Sequence, residues 1–295
     1  MKNQVHVVLA ADANYASGLR VTQGSMIRSC SDSERVIFHV FDESALKDLA
    51  GLEVFDKYNT SKMPYLRLFL PELLPEVEWV VYSDVDTIWN RDVCELELLF
   101  DRTVSIQWVR DFRGTMEEER LWGSSVRAKG LGVPKFDEKR YACSGICIMN
   151  LKKMREEGMT RKAVAMVAAC EKPPHADQDV LNELFNQDSS FLSSVWNCMG
   201  HFRDLPRWDE RCVYHLTGVG LRFHAKVPPV YPPQYQFWWN IAHGKHDVCC
   251  RSRMLAALWP FHFLSCLVPW HLRERVVRQW FFAKVLADYD LGWLL

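Results

Sequence analysis

The sequence has little of what would place it outside the ordinary globular class. Net charge is almost absent: 36 Lys and Arg stand against 37 Asp and Glu, a formal −1. No global field therefore draws the chain to nucleic acid, and no nucleic-acid partner is expected. The ten cysteines contain no Cys-x-x-Cys pair, and the adjacent Cys249 and Cys250 cannot both enter one ordinary bridge. Scattered thiols of this kind read as reduced cysteines of a cytoplasmic protein, not as a disulfide framework. The opening residues, MKNQVHVVLAAD, lack a charged stretch followed by an apolar core, which argues against secretion. There is no repeat and no low-complexity linker. There is also no unbroken run of the ~20 apolar residues that a spanning helix requires. The most apolar stretch, Met254 to Trp270, is interrupted by Pro260, His262 and Pro269.

What is present is a core-forming composition, 48% hydrophobic and 25% charged over 295 residues. VHVVLA (from Val5), RVIFHVF (from Arg35), Glu78 to Ser83, Val104 to Val109 and YACSGICIMN (from Tyr141) read as strands. Helical spacing follows them in NYASGLRVTQGSMIRSC, Ala45 to Asp56, Pro64 to Leu74, LKKMREEG and Gln178 to Phe185. Strands alternating with helices predict an α/β fold with crossovers, in which ligands gather at the carboxyl ends of the strands. Asp12, Asp42 and Asp84 stand at three such ends. The simplest parse is one α/β domain over residues 1–246 and a basic, aromatic helical tail over 247–295. In that tail, HLRERVVRQWFFAKVL combines Arg273, Arg275, Arg278 and Lys284 with Trp280 and Phe281. Such a helix either packs on the core or lies on an anionic membrane, and its composition favours the membrane over residues 254–287.

The most informative segment is VVYSDVDTIW, Val80 to Trp89, an apolar strand ending in Asp84-Val85-Asp86. Two enzyme classes end a strand this way. Haloacid-dehalogenase-type phosphatases use Asp-x-Asp-x-Thr, which Thr87 completes, but their motif sits on the first strand. They also need a later Gly-Asp or Asp-Asp pair, and neither dipeptide occurs here. Nucleotide-sugar glycosyltransferases use Asp-x-Asp to hold a divalent cation, and that reading remains. On extended or turning backbone the middle residue, Val85, can point into the core while both carboxylates reach one ion.

The chain resembles glycosyltransferase family 8, in particular the bacterial lipopolysaccharide galactosyl- and glucosyltransferases. The resemblance runs from about Val5 to Phe223 through LAADANYASGLRV, VIFHVFD, YLRL, VVYSDVDTIW, SGICIMNLKKMR, DQDVLNELF, VWN and YHLTG, in that order. It implies a single GT-A-like (nucleotide-diphospho-sugar transferase) domain with a mixed, mainly parallel sheet. It also implies a UDP-hexose donor and Mn²⁺ or Mg²⁺, held by Asp84, Asp86 and His215. An imidazole among oxygen ligands biases the choice toward Mn²⁺.

By the same resemblance, Ala10, Asp12, Asn14 and Tyr15 form the uridine loop. Tyr15 supplies a flat face for the base, although Asp12 or Asn14 is equally suited to cap the next helix. Arg67, Val85, Asp111, Cys143, Ser144, Gly218 and Arg222 are further donor contacts. Asp177 binds sugar hydroxyls, and Gln178 stands beside the reacting anomeric carbon, while Asp179 reads as a helix cap. The family retains anomeric configuration. Because an amide is a poor nucleophile, front-side attack is expected, with the leaving phosphate taking the acceptor's proton and electrostatic stabilisation dominating.

Three positions depart from the family pattern, the first being Ala13, where the uridine loop usually has a second Asp. Leu221 stands where a lysine contacts the diphosphate, with Arg222 beside it, and Cys143 replaces an asparagine next to Ser144. These last two departures sustain an alternative from a different class, a catalytically impaired sugar-nucleotide-binding protein. The acceptor is expected to be a saccharide or lipid-linked oligosaccharide, approached through residues 111–140 and 201–243. The first of these segments reads as a polar lid. The expected location is cytoplasmic, at the inner face of the membrane.

Overall fold

The computed structural model describes residues 4–47, 49–58, 61–111, 114–199 and 212–216. Among them a six-stranded sheet is built from β1 (Val5–Ala10), β2 (Val36–Phe41), β3 (Val80–Ser83), β5 (Ile106–Arg110), β6 (Ala142–Met149) and β7 (Ser189–Phe191), in the order β2-β1-β3-β6-β5-β7. The pairs β1–β2, β1–β3 and β5–β7 are parallel, and β6 runs antiparallel to both its neighbours. A smaller sheet joins β4 (Thr87–Trp89), β9 (Val213–His215) and β8 (Cys198–Met199). The α/β sheet predicted from the strand–helix alternation is present, and it is the mixed, mainly parallel sheet that the resemblance implies.

Side chains alternate across the sheet with the period of two that extended backbone imposes. Val7, Leu9, Val81, Ile146 and Ile148 enter one core with Met26 of α1 (Ala16–Ser29), Trp89 and Trp196. Val8, Val80, Tyr82, Cys147 and Met149 face the other, against α4 (Leu151–Glu156), α5 (Met159–Ala169) and α6 (Asp177–Phe185). β6 is buried along all eight residues, as a central strand covered on both faces must be.

Two expected helices are shorter than their periodicity suggests. Ala45 to Asp56 divides into 3-10 turns Glu43–Leu46 and Leu52–Tyr58, because Gly51 between them takes φ +90°, outside the helical region. Pro64 to Leu74 becomes a 3-10 turn, Met63–Phe69, followed by the single turn α2 (Leu70–Leu73). Pro71, which lacks an N–H, fits only the first turn of a new helix. The segment read as a polar lid contains the helix α3 (Glu117–Ala128), with Trp122 and Val126 buried. The expected tail over 247–295 lies outside the described residues. Among the described residues no helix is long and apolar enough to cross a membrane.

Strand directions assemble one functional edge. β1 and β3 deliver their carboxyl ends to it, and β6, being antiparallel, delivers its amino end. β5, antiparallel to β6, returns with Asp111. β6 also carries a bulge: Trp108 pairs with Cys147, yet Val109 pairs with Cys143. Ser144 to Ile146 therefore leave the β5 ladder, and the backbone of Ser144 is released toward this edge.

Candidate active site

Asp84 leaves β3 with its N–H donating to the carbonyl of Gly145 at 2.7 Å. Val85 then turns into the core, only 6% exposed, so the carboxylates of Asp84 and Asp86 fall on the same side of the chain. β4 pairs antiparallel with β9, setting Thr87 opposite His215. The His215 Nε2 consequently lies 3.2 Å from Asp86 Oδ1 and 3.6 Å from Asp84 Oδ2. Its Nδ1 meets Asn197 Oδ1 at 3.0 Å. An acceptor there fixes the proton on Nδ1 and directs Nε2 at the carboxylates, as a partner behind a metal-binding histidine does. Burial disfavours the protonated ring, but Asp86 outweighs it and raises the His215 pKa well above the ordinary value.

The donor set fits a divalent cation. Two carboxylate oxygens and one imidazole nitrogen lie within 4.8 Å of one another, a combination suited to Mn²⁺ or Mg²⁺. Positive charge between these groups offsets two carboxylates whether it comes from a proton on Nε2 or from an ion. Gly145 makes the close approach feasible, since a Cβ there would fall 2.2 Å from His215 Cε1 and 2.8 Å from Asp84 Oδ2. A second group with ligand-type donors, Cys30, Asp92 and Cys94, lies beyond the far end of α1.

Arg67, on the 3-10 turn Met63–Phe69, is 4% exposed. It donates to Asp84 Oδ1 at 2.8 Å and to the Ser144 carbonyl at 2.6 Å, and pairs with Asp177 Oδ2 at 2.9 Å. Its guanidinium stacks 4.0 Å from the centre of the Tyr82 ring. One planar fork thus ties together the acidic pair, the β6 bulge and the start of α6, a role its rigid geometry suits. Burial raises the Asp177 carboxyl to about 7, with Arg67 pulling it down and Asp84 pushing it up.

Gln178 follows Asp177 on α6. Its Oε1 accepts from the Ser144 N–H at 3.1 Å, and its Nε2 donates to Tyr141 Oη at 3.1 Å and to Asp111 Oδ2 at 3.4 Å. Ser144 Oγ donates to Asp177 Oδ2 at 3.2 Å. Asp179, the third residue of α6, does not cap the helix as expected, because Ala176 is the N-cap and no side chain caps there. Its carboxylate reaches back to the N–H of His175 at 2.6 Å and takes the Tyr141 hydroxyl at 2.6 Å. The turn into α6 holds Ala176 at φ 51°, the one non-glycine residue at positive φ among those described.

At the end of β1, Ala10 pairs with Phe41. Asp12 Oδ1 accepts from the N–H of Asn14 at 2.8 Å, capping a 3-10 turn Ala13–Tyr15 instead of α1 itself. Asn14 is exposed and Tyr15 half-buried. Cys143 is buried with its Sγ 3.9 Å from His215 Nδ1, so it faces the imidazole. Gly218 and Arg222, like Leu221, lie outside the described residues. Three residues of this edge were given no role from sequence: Gly145, Tyr141 and Asn197. Each stands inside a quoted motif (SGICIMN, YACSG, VWN), but only the fold shows what it touches.

A sheet of this order, with an acidic pair closing its third strand, is a GT-A-like fold. The chain belongs to the family described as Glycosyl transferase family 8, whose model matches residues 28–215. It is 24% identical over 234 residues to General stress protein A of Bacillus subtilis, covering 70% of this chain and 74% of that protein. It is also 24% identical over 217 residues to Lipopolysaccharide 1,2-glucosyltransferase of Escherichia coli, covering 65% of this chain and 62% of that enzyme. The match thus spans less than two thirds of the enzyme's length. Among solved structures, galactosyltransferase LgtC superposes with a TM-score of 0.58 at 22% identity, over 83% of this chain and 97% of LgtC.

Proposed function

We propose that the chain is a retaining, metal-dependent hexosyltransferase. It transfers galactose or glucose from a UDP-sugar to a saccharide acceptor, such as lipopolysaccharide core or another cell-surface glycan precursor. The observation that carries this reading is Arg67, which joins the prospective metal ligands to Asp177 beside Gln178 through two carboxylates. A protein that merely bound UDP would not need the sugar-side carboxylate coupled to the diphosphate-side one. Supporting it, LgtC has been solved with donor and acceptor sugar analogs, and an active-site glutamine of LgtC has been replaced by glutamate.

In this reading Ala10, Asp12, Asn14 and Tyr15 receive the uridine. Asp84, Asp86 and His215 hold Mn²⁺ or Mg²⁺, which supplies neutralising charge for a departing diphosphate. Val85 presents both carboxylates by turning inward, and Asp111, Cys143 and Ser144 complete the donor contacts among the described residues. Asp177, kept in place by Arg67 and Ser144, accepts hydrogen bonds from sugar hydroxyls. Gln178 faces the anomeric carbon with an amide in place of a carboxylate. It can stabilise developing positive charge without forming the covalent sugar ester of a double displacement. The acceptor then attacks from the face the phosphate leaves, passing its proton to that phosphate. A trapped glycosyl–enzyme intermediate would refute this route.

The test is UDP release from a panel of UDP-sugars with Mn²⁺, Mg²⁺ or EDTA, comparing wild type with Asp86→Ala. The expected result is release that EDTA abolishes and that Asp86→Ala lowers by about a hundredfold or more, the scale of losing a principal electrostatic contact. UDP binding without release from any donor would instead identify a non-catalytic sugar-nucleotide-binding protein.

A further inference from the structure

We infer that Tyr141 and Asp179 are positioning residues that lock the side-chain amide of Gln178 in one orientation. Its carbonyl oxygen is held on the Ser144 side and its nitrogen on the Asp111 side. This rests on the reading above, in which Gln178 stands beside the anomeric carbon.

A glutamine amide has two orientations of nearly identical shape, and only its hydrogen-bond partners distinguish them. Here the partners are unequal. Ser144 offers an N–H, 3.1 Å from Oε1, which demands an acceptor. Asp111 offers a carboxylate oxygen, 3.4 Å from Nε2, which demands a donor. The Tyr141 hydroxyl could give or take a proton, but its own proton is committed to Asp179 Oδ1 at 2.6 Å. Toward Gln178, 3.1 Å away, it therefore offers only lone pairs. The reversed amide would set its oxygen against the tyrosine lone pairs and the Asp111 carboxylate, and its N–H₂ against the Ser144 N–H. All three contacts would turn repulsive.

The lock is itself anchored. Tyr141 and Asp179 are each 2% exposed. The second carboxylate oxygen of Asp179 takes the His175 N–H at 2.6 Å, across the turn in which Ala176 sits at φ 51°. A non-glycine residue persists in that region only where its surroundings over-determine it. Two bonds span this turn, the Gln178 N–H to the His175 carbonyl at 3.1 Å and the His175 N–H to Asp179. The second bond fixes the carboxylate that fixes the tyrosine. The consequence is that the negative end of the amide dipole faces the Ser144 and Asp177 side, where positive charge on the sugar is stabilised.

The test uses the full-length protein and UDP release from UDP-galactose and UDP-glucose with Mn²⁺. Tyr141→Phe removes the lone pairs while keeping the ring. It should lower kcat about tenfold to hundredfold and leave donor KM within about twofold. In a Gln178→Ala background the same change should lower kcat no further, because its effect passes through Gln178. Asp179→Asn approaches the lock from its other end. With its oxygen on the His175 N–H it turns an N–H₂ to the tyrosine oxygen, which frees the tyrosine proton to point at Gln178. It should therefore behave alike, and it decides the matter if Tyr141→Phe does not fold. Wild-type kcat in a folded Tyr141→Phe protein, or an undiminished further loss in the Gln178→Ala background, would overturn the assignment. If Gln178→Ala alone keeps wild-type kcat, the parent reading of Gln178 fails, and the lock with it.

Discussion

Arg67 shows how differently one residue reads at two levels. On an amphipathic stretch it is an ordinary solvated arginine, but here it is enclosed and meets Asp84, Asp177 and the Ser144 carbonyl. Removing one member of a buried ion network leaves the others charged and unpaired. That usually costs more than the intact network contributes. Arg67→Met, which keeps much of the volume, is expected to lower stability by about 3–5 kcal/mol and to abolish donor turnover. Denaturant unfolding monitored beside UDP release checks both effects; a stable protein with normal turnover would remove Arg67 from the site. Cys143 is a milder case. Its family position suggests contact with the donor sugar, whereas its Sγ faces His215 Nδ1, so any influence on the donor passes first beside the imidazole.

At the scale of elements, α6 concentrates buried acids on a single helix. Burial raises Asp177 to about 7, Asp179 to about 6 and Glu183 to about 7. Arg127, paired with Glu183, only partly offsets the last. The sign follows from proton uptake. Below about pH 3 these carboxyls are protonated in folded and unfolded chains alike and contribute no pH dependence. Between about pH 4.5 and 7 the unfolded chain has released its protons while the folded chain still holds them, so stability falls as pH rises. Glu183 lies away from the prospective donor contacts and isolates the effect. Glu183→Gln should unfold like wild type at pH 4 and gain on the order of 2 kcal/mol at pH 8. Melting curves at the two pH values test this, and an equal shift at both would show that Glu183 acts by packing alone. The β6 bulge belongs to this scale too. It is set by pairing between strands and turns the backbone of Ser144 toward Arg67 and Gln178, a feature that no one-dimensional pattern in YACSGICIMN signals.

At the scale of the whole molecule, membership of family 8 makes the chain a glycosyltransferase on a GT-A-like sheet. The tail over 247–295 falls outside the described residues, so its role rests on composition. We expect the full chain to sediment with vesicles containing anionic lipid and not with neutral ones. Replacing Arg273, Arg275, Arg278 and Lys284 by glutamine should abolish that binding, each basic residue near such a surface contributing about 1 kcal/mol. Undiminished sedimentation of the glutamine variant would show that these basic residues do not hold the chain to the membrane.

The sequence by itself determined the alternation of strands and helices, the acidic pair closing the third strand, and the ordered motifs that mark the family. All of these are local patterns of polarity along the chain. It also placed Asp84, Asp86, His215, Arg67, Asp177 and Gln178 among the candidates, since each lies within a short recognisable segment. Only the tertiary structure decided which of these groups touch. The Asp84–Gly145, Arg67–Asp177, Tyr141–Asp179 and Asn197–His215 contacts join residues 61, 110, 38 and 18 positions apart in the chain, and strand direction and register bring them together. Periodicity also overstated the helices at Ala45 to Asp56 and Pro64 to Leu74 and missed α3. A hydrophobic period reports which face is buried, whereas Gly51 and Pro71, or the packing of Trp122 and Val126, decide whether the backbone can continue as a helix.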